Sequence, residues 1–197
     1  MRHTTLVSTT ILSCICATAF IAAPASASLA LDQANAPSTG YISASAGFVQ
    51  QQVTVGLAGT LAGFAVMSFA QDDLVNYSFF IARGSAWNTS AHVFDLTGFS
   101  SLNNAANAWV FIDTSAANIN FNAGDTFVIG WTSSGGSGRL ASSGNTYSGG
   151  GFWNNQNGNT KNLADLGFQT YVGSVPAPGA AALVGLASAF MGRRRRN

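Results

Sequence analysis

A few side chains in this sequence are of types that could do chemistry. Tyr147, Trp153, Asn154 and Asn155 lie in a tract rich in glycine, serine and asparagine. Aromatic faces stack on the C–H surfaces of sugars, and asparagine amides donate and accept together, which suits pairs of hydroxyls. An exposed loop of this kind is a candidate contact for extracellular polysaccharide. The competing expectation, and the stronger one, is that Trp153 folds inward and plugs one end of the core. Asp72 and Asp73 could join a backbone carbonyl around Ca²⁺, a hard ion that takes about six to eight oxygens. No D-x-D-x-D-G pattern surrounds them, so a solvated turn is the commoner outcome and no cofactor is expected. His92 and Asp95 are three residues apart, but no Gly-x-Ser-x-Gly elbow accompanies them, and a structural histidine is expected. Asp113, Asp125 and Asp165 fall at expected strand ends, where aspartate caps turns.

Composition removes several classes of function. The chain has seven aspartates and no glutamate, so a Glu–Glu glycosidase pair cannot be built. Its cysteines, Cys14 and Cys16, sit in an apolar head and do not have metal or redox spacing. Once both ends are removed, His92 is the remaining histidine, too few for a histidine zinc site. Arg83, Arg139 and Lys161 then stand against seven aspartates, a net charge of −4 where the whole chain carries +1. That balance argues against nucleic acid as a partner. A non-enzymatic protein is expected. The alternatives are a structural or adhesive matrix component without a small ligand and, less favoured, a hydrolase using two aspartates.

The elements that must position these residues read as strands. Phe48 to Val55 alternates late, with Val53 and Val55 on one face. Leu61 to Ala70 and Leu74 to Arg83 continue the pattern, the latter placing Val75, Tyr77, Phe79 and Ile81 on one face. Ala91 to Leu96 is a short strand. Trp109 to Asp113 and Phe127 to Thr132 are the clearest later strands, separated by the turn signal Asn122-Ala123-Gly124-Asp125. Ser133 to Asn162 reads as one long loop, and Leu166 to Val172 as a closing strand. Many short alternating strands predict an all-β fold, an antiparallel β-sandwich or jelly roll. Trp87, Trp109, Trp131 and Trp153 are evenly spaced, but their flanking sequences differ and no repeat is inferred.

The ends carry addresses. Residues 1–27 read as a secretory signal helix, with Arg2 ahead of a mostly apolar stretch and Ala25-Ser26-Ala27 as the cleavage site for signal peptidase after passage through the translocon. Residues 28–46, small and polar, read as a linker, and 47–173 as the single β-sandwich domain. In residues 174–197, Pro176 and Pro178 hold an extended strip, an apolar run follows to Met191, and Arg193, Arg194, Arg195 and Arg196 end it. The apolar run is short for a permanent span, and positive charge directly after it acts as a stop-transfer signal.

This tail resembles the PEP-CTERM sorting signal recognised by exosortases. Val175-Pro176-Ala177-Pro178 stands at the motif, with Ala177 where the name has glutamate; Gly179 to Met191 stands at the helix and Arg193 to Arg196 at the cluster. The resemblance implies transient membrane anchoring, cleavage by an exosortase-like membrane enzyme and delivery to the cell envelope or extracellular matrix. A permanent single-helix anchor is the alternative. The middle region also resembles lectin-like or carbohydrate-binding-module-like sandwiches. The residues concerned are Gln50-Gln51-Gln52-Val53-Thr54-Val55-Gly56, Ala123-Gly124-Asp125, Tyr147-Ser148-Gly149-Gly150 and Asp165 to Val172. That likeness implies a polysaccharide partner.

Overall fold

Apolar alternation puts most of the chain into strands, and breaks rich in glycine and asparagine turn it back on itself. The computed structural model describes residues 28–37, 40–43, 48–71, 74–84, 91–133, 138–154, 160–162 and 164–173. The strands are β1 (Leu29–Asn35), β2 (Gly40–Ser43), β3 (Phe48–Thr54), β4 (Gly59–Met67), β5 (Tyr77–Arg83), β6 (His92–Phe99) and β7 (Trp109–Asp113). After a 3-10 turn at Ser115–Ala117 come β8 (Asn120–Phe121), β9 (Thr126–Ser133), β10 (Arg139–Gly144), β11 (Phe152–Asn154), β12 (Thr160–Asn162), β13 (Ala164–Leu166) and β14 (Phe168–Gly173). Asn76, Asn103, Asn107 and Asn118 take positive φ, a left-handed conformation that asparagine tolerates better than most residues. Among the described residues no helix is long and apolar enough to cross a membrane.

The fold is all-β, and its strand pairs are antiparallel. One sheet runs β1-β14-β4-β7, with β8 also on β4. A six-stranded sheet runs β12-β11-β3-β9-β5-β6, and a small one runs β13-β10-β2. The larger sheets send side chains into one core: Phe64 of β4 meets Phe79 of β5 edge to face at 5.7 Å. Trp131 and Phe152 are fully buried beside each other in the six-stranded sheet. Burial of such rings contributes on the order of 2–3 kcal/mol each.

Three expectations need correction. Residues 28–46 are not simply a linker: β1 forms an edge of the first sheet against β14, and β2 pairs with β10. Hydrophobic patterning does not announce β1, because it is held by polar anchors. Asn35 is buried and donates to Ser143 Oγ and the Leu166 carbonyl, and Asp32 accepts from the Gly56 and Leu57 N–H groups. The tract from Ser133 to Asn162 contains β10, β11 and β12, whose ladders are made by backbone and tolerate buried small residues such as Ser142 and Ser143. The closing strand is two strands, because at Gly167 the chain passes from the small sheet to the first sheet. The expected terminal helices, with Ala25, Ala27, Val175 to Pro178 and Arg193 to Arg196, lie outside the described residues. So do Asp72, Asp73 and Asn155.

Candidate glycan-contact surface

The residues read as a sugar-binding loop do not form one surface. Tyr147 is buried; its ring meets Phe168 edge to face at 5.0 Å. Its hydroxyl reaches Gln33 Oε1 and the Thr54 carbonyl, each at 3.4 Å, and accepts from the Thr54 N–H at 3.2 Å. Burial pushes the phenol pKa up, the nearby Asp32 and Asp165 carboxylates add to this, and the Thr54 backbone bond partly opposes them. On β11 the side chains alternate, so Phe152 enters the core and Trp153 faces the other side of the sheet, half-buried. Asn154 is buried. Only Trp153 of the three remains available to solvent, and it does not plug the core.

Under Tyr147 lies a polar network. Asp165 is fully buried; one carboxylate oxygen accepts from the Tyr147 N–H at 2.9 Å and the other from Gln51 Nε2 at 3.3 Å. Gln51 Oε1 accepts from the Leu166 N–H. Asp165 therefore does more than cap a turn: it ties β3, β13 and the 147 loop together. His92 Nδ1 lies 2.6 Å from Asp95 Oδ1 on β6, and its ring stacks on Phe80 at 4.0 Å. No described serine hydroxyl bonds to it. Among the described residues no three His, Cys, Asp or Glu side chains converge.

A row of aromatic side chains is exposed on the outer face of the first sheet. On β7, Val110 and Ile112 point to the core while Trp109 and Phe111 point outward, 37% and 43% exposed. Phe111 lies across Gly63 of β4, where any Cβ would collide with its ring, and so reaches Tyr171 of β14 at 5.6 Å. Leu31 of β1 is the cross-strand partner of Tyr171, and Leu29 and Leu31 are both about half exposed. Met67 sits opposite Trp109. The face thus carries Leu31, Tyr171, Phe111 and Trp109 across three strands of one rigid sheet, with β4 between them. Trp109 and Phe111, two residues apart on one strand face, are separated by roughly 7 Å. Polar groups border the row. The Tyr171 hydroxyl donates to Gln169 Oε1, and Asp113 is exposed at the end of β7. Side-chain and backbone hydrogen bonds from Ser115 hold the Asp113 pKa below its usual value, so it stays ionised at neutral pH.

No family model, curated protein or solved structure matches the chain. The site therefore rests on its own geometry. Contiguous apolar surface of this kind marks an interaction site more often than chance. Aromatic rings fixed on a sheet offer stacking faces, and bordering amide and carboxylate groups offer hydrogen bonds to hydroxyls. The sequence carried a signal for this row, since Trp109 and Phe111 share a face. Alternation alone does not say which face is the core when Val110 and Ile112 are apolar too.

Proposed function

We propose that this chain is exported, trimmed at both ends, and displayed at the cell envelope or in extracellular matrix as a non-enzymatic β-sandwich that contacts polysaccharide. The observation that carries the binding part is the row of half-buried Tyr171 and exposed Phe111 and Trp109 on a rigid sheet face. The export part rests on the A-x-A site at Ala25 to Ala27 and on the PEP-CTERM-like tail. A shared core between two antiparallel sheets supports the sandwich description. A second reading, a structural or adhesive matrix protein, draws support from the exposed Leu29 and Leu31 on the same face.

The test uses protein recovered after secretion. Its intact mass should correspond to a chain starting at Ser28 and ending near the Val175 to Pro178 strip; a full-length mass would sink the sorting proposal. The same protein should be retained on at least one of a panel of insoluble β-glucan, chitin and mannan. A Trp109→Ala/Phe111→Ala variant should lose about ten-fold or more in affinity, since each ring contact is worth about 0.5–1.5 kcal/mol. Both side chains are exposed, so the variant should fold. No retention on any polymer, with concentration-dependent self-association instead, would favour the matrix reading.

A further inference from the structure

At another place, where β5 ends and β9 begins, a cleft of about 300 Å³ is lined by Arg83, Gly84, Phe121, Asp125 and Thr126. Small-molecule sites start at about this size. Arg83 is fixed in two ways. One Nη donates to the Asn120 carbonyl at 2.8 Å, and the guanidinium carbon lies 4.6 Å from the centre of the Phe121 ring. Phe121 is itself buried and stacks on Phe127 at 4.8 Å, so the platform under the cation is part of the core. Among the described residues the rest of the guanidinium fork has no acceptor. Asp125 lines the same cleft without forming an ion pair with Arg83. One Asp125 oxygen accepts from the Asn122 N–H, and among the described residues the other has no donor.

We propose that this cleft binds a sugar acid, with the ligand carboxylate on the Arg83 guanidinium and a ligand hydroxyl donating to the Asp125 carboxylate. The pairing follows from chemistry. An arginine fork matches a carboxylate with two parallel N–H donors, and a carboxylate acceptor beside it demands a hydroxyl donor. A bare carboxylate would leave Asp125 facing it with no hydrogen between them. A neutral sugar would leave the Arg83 fork unused. A hydroxyl-bearing acid satisfies both groups. The site is separate from the aromatic row and does not depend on it.

Methyl glucuronide, methyl glucoside, acetate and a short polyuronate are titrated into secreted, ¹⁵N-labelled protein, and the Gly84 and Thr126 amide signals are followed. Glucuronide should shift both saturably, about ten-fold more tightly than glucoside or acetate. Arg83→Gln should abolish the effect, Arg83→Lys should retain part of it, and Asp125→Asn should weaken it. If the polyuronate binds and the monomer does not, the ligand is a chain; if both bind equally, it is the free acid or a chain end, and either result supports the site. Saturable shifts of equal strength with glucuronide and glucoside, no shift with either glucuronide or polyuronate, or an Arg83→Gln variant that binds as the parent does, overturns it. Polymer binding lost in Trp109→Ala/Phe111→Ala while glucuronide shifts persist would separate this cleft from the aromatic row.

Discussion

Gln50 and Gln51 are neighbours with identical side chains and opposite circumstances. Gln51 faces the network beneath Tyr147, where its amide makes hydrogen bonds in both directions. Gln50, on the other face of β3, is fully buried, and among the described residues neither its amide nitrogen nor its oxygen has a partner. An unsatisfied buried polar group costs about 1–3 kcal/mol, and an apolar side chain of similar shape removes that cost. Gln50→Met should therefore stabilise the protein by about 1–2 kcal/mol, read as a raised urea midpoint; an unchanged or lower midpoint would refute this. Tyr147 gives a pH-dependent counterpart. Its folded pKa is raised, so its contribution is intact below the unfolded value of about 10 and is lost as pH rises through the folded value. Between pH 9 and pH 11 the parent should lose more stability than Tyr147→Phe. Parallel losses would show that the phenol does not titrate against the fold. Neither the Gln50–Gln51 difference nor the burial of Tyr147 is legible in the sequence, because a run of glutamines has no apolar face to reveal which side is inward.

The elements divide along the same line. Strands with a clear period of two were legible: Trp109 to Asp113 occupies the span its pattern assigns, and Tyr77, Phe79 and Ile81 share the core face expected of them. Strands held by backbone ladders and polar anchors were not, and β1 is the clearest case. Its alternation is blurred by the register shift between Leu31 and Gln33, where a bulge changes which residues face inward. Its energetic role can be measured. A chain beginning at Ala36 loses the β14 ladder, the buried Asn35 bonds and the Asp32 contacts to Gly56 and Leu57. The two buried Asn35 bonds at about 1 kcal/mol each set a floor of about 2 kcal/mol for the loss. Urea unfolding of the truncated protein measures it. A midpoint equal to the parent's would restore the linker reading of residues 28–46.

At the scale of the whole molecule, the two ends of the folded domain meet. Leu29 pairs directly with Gly173, so the first and last residues of the first sheet lie side by side. Antiparallel partners have Cα atoms about 4.5–5.5 Å apart. A signal removed before Ser28 and a tail beginning at Ser174 would therefore leave from one corner. The aromatic row starts at that corner with Leu31 and Tyr171 and runs to Trp109, which sits level with Met67 at the far end of β4. Four residues of β4, from Gly63 to Met67, separate the two levels, roughly 13 Å along the strand. A domain held at Gly173 would thus present Trp109 away from its tether. A circular permutant tests the geometry directly. Joining Gly173 to Leu29 through three or four glycine and serine residues, and opening the chain at the exposed turn between Leu102 and Asn103, should preserve the fold. Its melting temperature should fall within about 5 °C of the parent, a difference of about 1 kcal/mol. Its retention on any polysaccharide the parent binds should be unchanged, because the aromatic row is untouched. A permutant that fails to fold, while one opened at the same turn and closed by a long linker succeeds, would show that the two ends are farther apart than the β1–β14 register places them.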